Sequence, residues 1–147
     1  MARPSRVLIV ESRFYSDIAD ELVRGATETL DAAGVRYERV SVPGAFEIPA
    51  AIRFAIESGR YDGYVALGCV IRGETSHYEY VCRESARGLT DLAIGHAAAI
   101  GYGILTCETH AQAAARAAVE ERNKGRAAAE ACLAMIELKR SFGIRSP

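Results

Sequence analysis

One stretch of the chain concentrates residues able to do chemistry: Gly68-Cys69-Val70-Ile71-Arg72-Gly73-Glu74-Thr75-Ser76-His77-Tyr78-Glu79. It leaves an apolar run and enters a helical pattern through a polar loop containing glycine. A helix starting there presents unpaired backbone N–H groups and the positive end of its dipole, so an anion such as phosphate is stabilised, and Gly73 allows close backbone approach. Ser76 and Glu79 stand at capping-box spacing. Imidazole suits proton transfer near neutral pH, and His77, just inside the helix start, is the acid–base candidate; a surface or capping role is equally open to it.

Two further positions belong with this loop. In Val42-Pro43-Gly44-Ala45-Phe46-Glu47-Ile48-Pro49, two prolines and a glycine fix the backbone around one carboxylate at a helix start. Glu47 could complement the helix dipole or accept hydrogen bonds from ligand hydroxyls. Phe14 could be core, or it could stack on a planar ring. The other histidines have plainer readings: His96 sits near a helix C-terminus, and His110 follows Thr109, which has Gln112 at capping spacing.

Positioning these residues requires a frame, and strand-length apolar runs alternate with segments of helical period, the pattern of repeated βα units. Strands are expected at Val7 to Val10, Arg36 to Val42, Tyr64 to Val70 and Ala99 to Thr106. Helices are expected from Ser16 to a stop at Gly34, from Phe46 to Gly59, from Tyr78 to Ala93, from His110 to Glu121 and from Arg126 to Ser141, with Lys124-Gly125 between the last two. Parallel connections need crossovers of a dozen or more residues, which these helices supply, so the expected fold is α/β: a flavodoxin-like three-layer sandwich on a four-stranded parallel sheet. Ligands in such sheets sit beyond the carboxyl ends of the strands, so the loops at Phe14, at Pro43 to Glu47 and at Cys69 to His77 should share one rim.

The 147 residues, half of them hydrophobic, fit one domain spanning 1–147 that needs no disulfide or structural metal to stabilise its core. Cys69, Cys82, Cys107 and Cys132 are widely spaced, with no Cys-x-x-Cys pair and no histidine at zinc-finger spacing, so reduced thiols and no metal site are expected. The apolar run after the basic N-terminus is too short for a signal peptide or membrane span, and a cytoplasmic protein is expected. Eighteen basic and nineteen acidic residues are interspersed, which argues against a nucleic-acid partner.

The blocks Val42 to Pro49, Gly68 to Thr75 followed by His77, and Asn123-Lys124-Gly125 strongly resemble the 6,7-dimethyl-8-ribityllumazine synthases in order and spacing, and the resemblance covers nearly the whole chain. It implies the condensation of 5-amino-6-(D-ribitylamino)uracil with 3,4-dihydroxy-2-butanone 4-phosphate, without cofactor. Carried over by position, Phe14 would stack on the pyrimidinedione, and Ala45, Phe46 and Glu47 would hold it, Glu47 through the ribityl hydroxyls. Cys69, Val70 and Ile71 would offer backbone partners to the ring, with Tyr102 and Lys124 near it. Glu74, Thr75 and Arg116 would bind phosphate, and His77 would move protons. The alternatives are a flavodoxin-like module binding a flavin or nucleotide, a cysteine hydrolase pairing Cys69 or Cys82 with His77, and a shell protein without catalysis.

Four positions depart from the family pattern: Tyr15 where Asn is common, Tyr102 where Phe is usual, Ala127 where an acidic residue often stands, and Arg122 where glycine often sits. The resemblance also implies a homo-oligomer built of pentamers, with a sixty-subunit shell and a docked riboflavin synthase left open. Strand geometry supports sites shared between subunits: Tyr102 lies four steps before Thr106, roughly 13 Å from the rim. A non-glycine residue resists a left-handed turn, so Arg122 favours isolated pentamers over a shell.

Overall fold

The computed structural model describes residues 4–144; the first three residues of the basic N-terminus lie outside it. Four parallel strands, β1 (Arg6–Ser12), β2 (Arg36–Val42), β3 (Gly63–Ile71) and β4 (Ile100–Cys107), form one sheet in the order β2-β1-β3-β4. β1 and β3 are almost wholly buried, because apolar side chains of both parities have a helix layer to enter. On one face Val7, Ile9, Val65 and Leu67 pack against helices α1 (Ser16–Ala32), α4 (His110–Ala117) and α5 (Lys124–Ser141). On the other, Leu8, Val10, Tyr64 and Ala66 meet α2 (Ile48–Ser58) and α3 (His77–Gly95). The expected three-layer α/β sandwich is present. Among the described residues no helix is long and apolar enough to cross a membrane.

β2 spans Arg36–Val42 as expected, and the helix stops at Gly34 and Gly59 are left-handed, with φ of 69° and 67°. Beyond shifts of one or two residues at the ends of β1, β3, β4 and α3, three boundaries differ from expectation. The segment expected to open α2 at Phe46 is a 3-10 turn, Ala45–Glu47, closed by the Glu47 N–H donating to the Gly44 carbonyl at 3.1 Å. This turn buries Ala45 while leaving Phe46 outside.

α4 stops at Ala117 rather than Glu121. Ala118 turns to ψ 126°, and the Val119 N–H leaves the helical pattern to donate to the Glu21 carboxylate of α1 at 3.1 Å, a tertiary bond outweighing local helix propensity. Lys124 and Gly125 form the first turn of α5 instead of a linker. Asn123 caps that helix in the left-handed region (φ 46°), its Oδ1 accepting the Arg126 N–H at 3.3 Å, a conformation Asn tolerates because its side chain bonds locally. Gly125 is required by packing: a Cβ there would lie 2.0 Å from the Leu22 carbonyl oxygen of α1. The left-handed residue of this turn is therefore Asn123 and not Arg122, so Arg122 carries no strain and gives no reason to favour isolated pentamers.

Candidate functional site

The loops after β1, β2 and β3 wall a cavity of about 540 Å³ at the carboxyl ends of those strands. Phe14 and Tyr15 come from the first loop, Ala45, Phe46 and Glu47 from the second, and Cys69, Val70, Ile71, Gly73, Thr75 and His77 from β3 and the loop after it. The rim expected from the sequence thus exists, and nine of the thirteen candidate site residues line it. Glu74 is exposed on the same loop but lies outside the cavity wall.

Phe14 is 74 % exposed and Phe46 57 %. Two aromatic surfaces held in water at a concave site are suited to a planar ligand ring. Cys69 is nearly covered, and burial, with Cys107 nearby, pushes its thiol up to about 12. At neutral pH it is a protonated, poor nucleophile, and burial raises the pKa of the Cys82 thiol as well, so neither cysteine of the hydrolase alternative is activated. Among the described residues all four cysteines are free, and no cluster of three His, Cys, Asp or Glu side chains stands at metal-binding geometry.

The capping box expected between Ser76 and Glu79 does not form. Thr75 Oγ1 accepts the His77 N–H at 3.3 Å, while Ser76 makes no capping bond through its side chain. Glu79 is engaged elsewhere: Arg72 Nη1 donates to it at 2.9 Å. The same guanidinium meets Glu108 at 2.8 Å and lies 4.4 Å from the Tyr78 ring centre, and the Arg72 N–H donates to the Cys107 carbonyl at 2.9 Å. Arg72 thereby pins the loop carrying Gly73 to His77 against the end of β4. The capping expected of Thr109 is present, its hydroxyl accepting the Gln112 N–H at 3.2 Å, and His110 pairs with Asp17 at 2.9 Å.

Tyr102, Arg116 and Lys124 do not join the rim. They line a separate groove of about 320 Å³ along the edge strand β4, with Gly103 to Thr106 and Ala127. Tyr102 is 44 % exposed, and its phenol, held above its ordinary pKa by burial, hydrogen-bonds with Ser85 of α3. Arg116 Nη1 donates to the Gln112 carbonyl at 3.1 Å, and among the described residues no carboxylate lies within ion-pair distance of this guanidinium. Ala127 stands in the same groove and places no charge beside Arg116.

A buried charge network beneath the first loop was not singled out from sequence. Glu11, only 1 % exposed on β1, accepts hydrogen bonds from Arg39 Nε (2.9 Å) and Nη2 (3.0 Å) and from Arg13 Nη1 (2.7 Å). Arg13 also pairs with Asp20 of α1. Burial alone would raise the Glu11 pKa, but the hydrogen bonds and charges of Arg39 and Arg13 together hold it below the ordinary value. The available signal was a carboxylate ending an apolar run with Arg two residues later, just past the end of β1.

Comparison with known proteins supplies what geometry alone cannot. The family model described as 6,7-dimethyl-8-ribityllumazine synthase matches residues 4–140. The chain is 58 % identical over 139 residues to the 6,7-dimethyl-8-ribityllumazine synthase of Bartonella bacilliformis, covering 93 % of this chain and 91 % of that protein. It is 56 % identical over 136 residues to that of Methylobacterium radiotolerans, with coverages of 92 % and 83 %. A Rhizobium meliloti protein named 6,7-dimethyl-8-ribityllumazine synthase 1 is 54 % identical over 146 residues, covering 96 % and 95 %.

Proposed function

Since the chain belongs to the 6,7-dimethyl-8-ribityllumazine synthase family, we propose a division of labour among its residues for that enzyme's reaction. The chain condenses 5-amino-6-(D-ribitylamino)uracil with 3,4-dihydroxy-2-butanone 4-phosphate to give 6,7-dimethyl-8-ribityllumazine, the penultimate step of riboflavin biosynthesis. The 5-amino nitrogen adds to the ketone and water leaves, forming an imine. Elimination then expels inorganic phosphate, and the ribityl-bearing nitrogen closes the ring with loss of a second water.

The observation that carries the assignment is the cavity joining an exposed aromatic, a carboxylate and an imidazole at one rim. Phe14 stacks on the pyrimidinedione, Ala45, Phe46 and Glu47 hold its ribityl side, and the backbone of Cys69, Val70 and Ile71 meets the ring. Thr75 and Glu74 offer backbone N–H groups to the phosphate, with Arg116 as its charged partner. His77 moves protons between the nitrogen and oxygen centres, typically a contribution of about 10²–10⁴-fold. Holding two reactive substrates in register contributes more, roughly 7–11 kcal/mol for a well-oriented bimolecular step.

Tyr102, Arg116 and Lys124 serve the site of a neighbouring subunit, so the working enzyme is a homo-oligomer built of pentamers. Their separate groove on β4 supports this reading. The chain acts as one domain, in the cytoplasm, where its four free thiols stay reduced. The test is incubation of purified protein with both substrates while following the lumazine chromophore. Product that depends on both substrates is expected; a stoichiometric bound flavin with no turnover would favour the flavin-binding module instead.

A further inference from the structure

Phe14 projects into solvent from a loop, and nothing about a lone exposed phenylalanine fixes the plane of its ring. Its neighbours do. The Tyr15 ring meets it edge to face, centroids 5.0 Å apart at 73°, and Tyr15 itself is half-buried against the core beneath α1 and α4. On its far side Tyr15 meets the His110 ring, 6.4 Å away at 68°. His110 Nε2 is in turn 2.9 Å from Asp17 Oδ2, in the first turn of the helix that Tyr15 caps. The Tyr15 carbonyl accepts the Ala19 N–H at 2.9 Å, so the backbone bearing the ring is anchored as well.

We propose that Tyr15 is a positioning residue for the aminouracil substrate, holding the Phe14 ring in stacking orientation through a brace that runs to His110 and Asp17. The inference rests on Phe14 being the stacking face. It goes further by giving Tyr15 a role of its own, since a side chain without a ring could make neither aromatic contact. A pre-oriented platform lowers the ordering cost of binding the flat substrate and leaves the phosphorylated ketone unaffected. The effect is therefore selective between the two substrates.

Steady-state kinetics on Y15L, Y15F, F14L and the F14L/Y15L double variant test it. Y15L should raise the KM for the aminouracil by about three- to tenfold, the worth of an aromatic pair, with the ketone KM and kcat within about twofold of wild type. Y15F keeps the ring and should restore wild-type behaviour. In the F14L background Y15L should cost nothing more, because its action passes through Phe14. An unchanged aminouracil KM in Y15L, an equal rise in both KM values, or a full additional loss in the double variant would overturn the proposal. If Y15L does not fold, Y15M, which keeps the volume without the ring, reads the same comparison. Wild-type protein forming no lumazine in this assay would instead overturn the enzymatic reading itself.

Discussion

Tyr102 stands beside Ala66 in the β3–β4 register, four residues short of the Val70–Thr106 pair that marks the rim. The described residues thus form two separate pockets: a rim with Phe14, Glu47 and His77, and an edge groove with Tyr102, Arg116 and Lys124. Under the proposed sharing of sites, a head-to-tail arrangement that sets each groove against the next subunit's rim would close into a ring and complete every site.

Mixing two crippled chains should then restore activity. His77→Ala is expected to lower kcat at least tenfold, and Arg116→Ala to impair use of the ketone. When the two variants are coexpressed in equal amounts, about a quarter of the sites draw both intact halves by chance in a ring of this kind. Recovery near that fraction, with light scattering showing an oligomer, is the expected result; an active monomer would defeat the shared site. The same scattering measurement fixes the size of the assembly.

Arg116→Ala alone should raise the KM for the phosphorylated ketone by about tenfold or more, the scale of one charge-assisted hydrogen bond, while the KM for the aminouracil changes little. Arg116 has no carboxylate partner among the described residues, so its removal strands no buried charge and the fold should hold. Equal losses for both substrates would mark a structural arginine.

Cys69→Ala should retain most of the activity, since a thiol held near 12 is protonated at working pH. A small drop in thermal stability is expected from the lost packing, on the order of 1 kcal/mol. Complete loss of turnover with an unchanged circular dichroism spectrum would restore the nucleophile assignment.

Glu11→Gln tests the buried network through its pH dependence. The folded-state pKa of Glu11 is depressed, so its stabilisation is fully present above the ordinary value and is lost as pH falls through the folded value. Denaturant melts should show the variant less stable by about 1–3 kcal/mol at pH 7. That gap should narrow once the pH drops below about 4.3, the unfolded carboxylate's value. A gap of constant size across the acid range would show that the charge contributes nothing.

The sheet was legible because Val7 to Val10 and Tyr64 to Val70 are apolar runs bounded by turn residues, and β2 was placed residue for residue by the Gly34 stop before it and Pro43 after it. The rim followed from the strand ends. What could not be read depends on partners distant in sequence. Glu21 takes the Val119 N–H and ends α4 early, and Leu22 approaches so closely that only glycine fits at position 125. Arg72 draws Glu79 away from the cap that its spacing to Ser76 suggested. The separation of Tyr102, Arg116 and Lys124 from the rim was legible only for Tyr102, whose place on a strand fixes its depth; residues on helices carry no such ruler.

The strand order has a consequence for how the enzyme comes into being. β1 lies between β2 and β3, with Val7 beside both Tyr37 and Gly63, so the first strand made waits for the third before its second edge is paired. During synthesis at roughly 5–20 residues per second, Phe14 and Glu47 leave the ribosome seconds before Cys69 and His77, as the walls of a cavity that has no floor. A nascent chain therefore has nothing with which to grip either substrate. Only closing the β1–β3 pair turns two earlier loops and one later loop into a container, and ligand present at that moment would favour the closed sheet over its unpaired precursor.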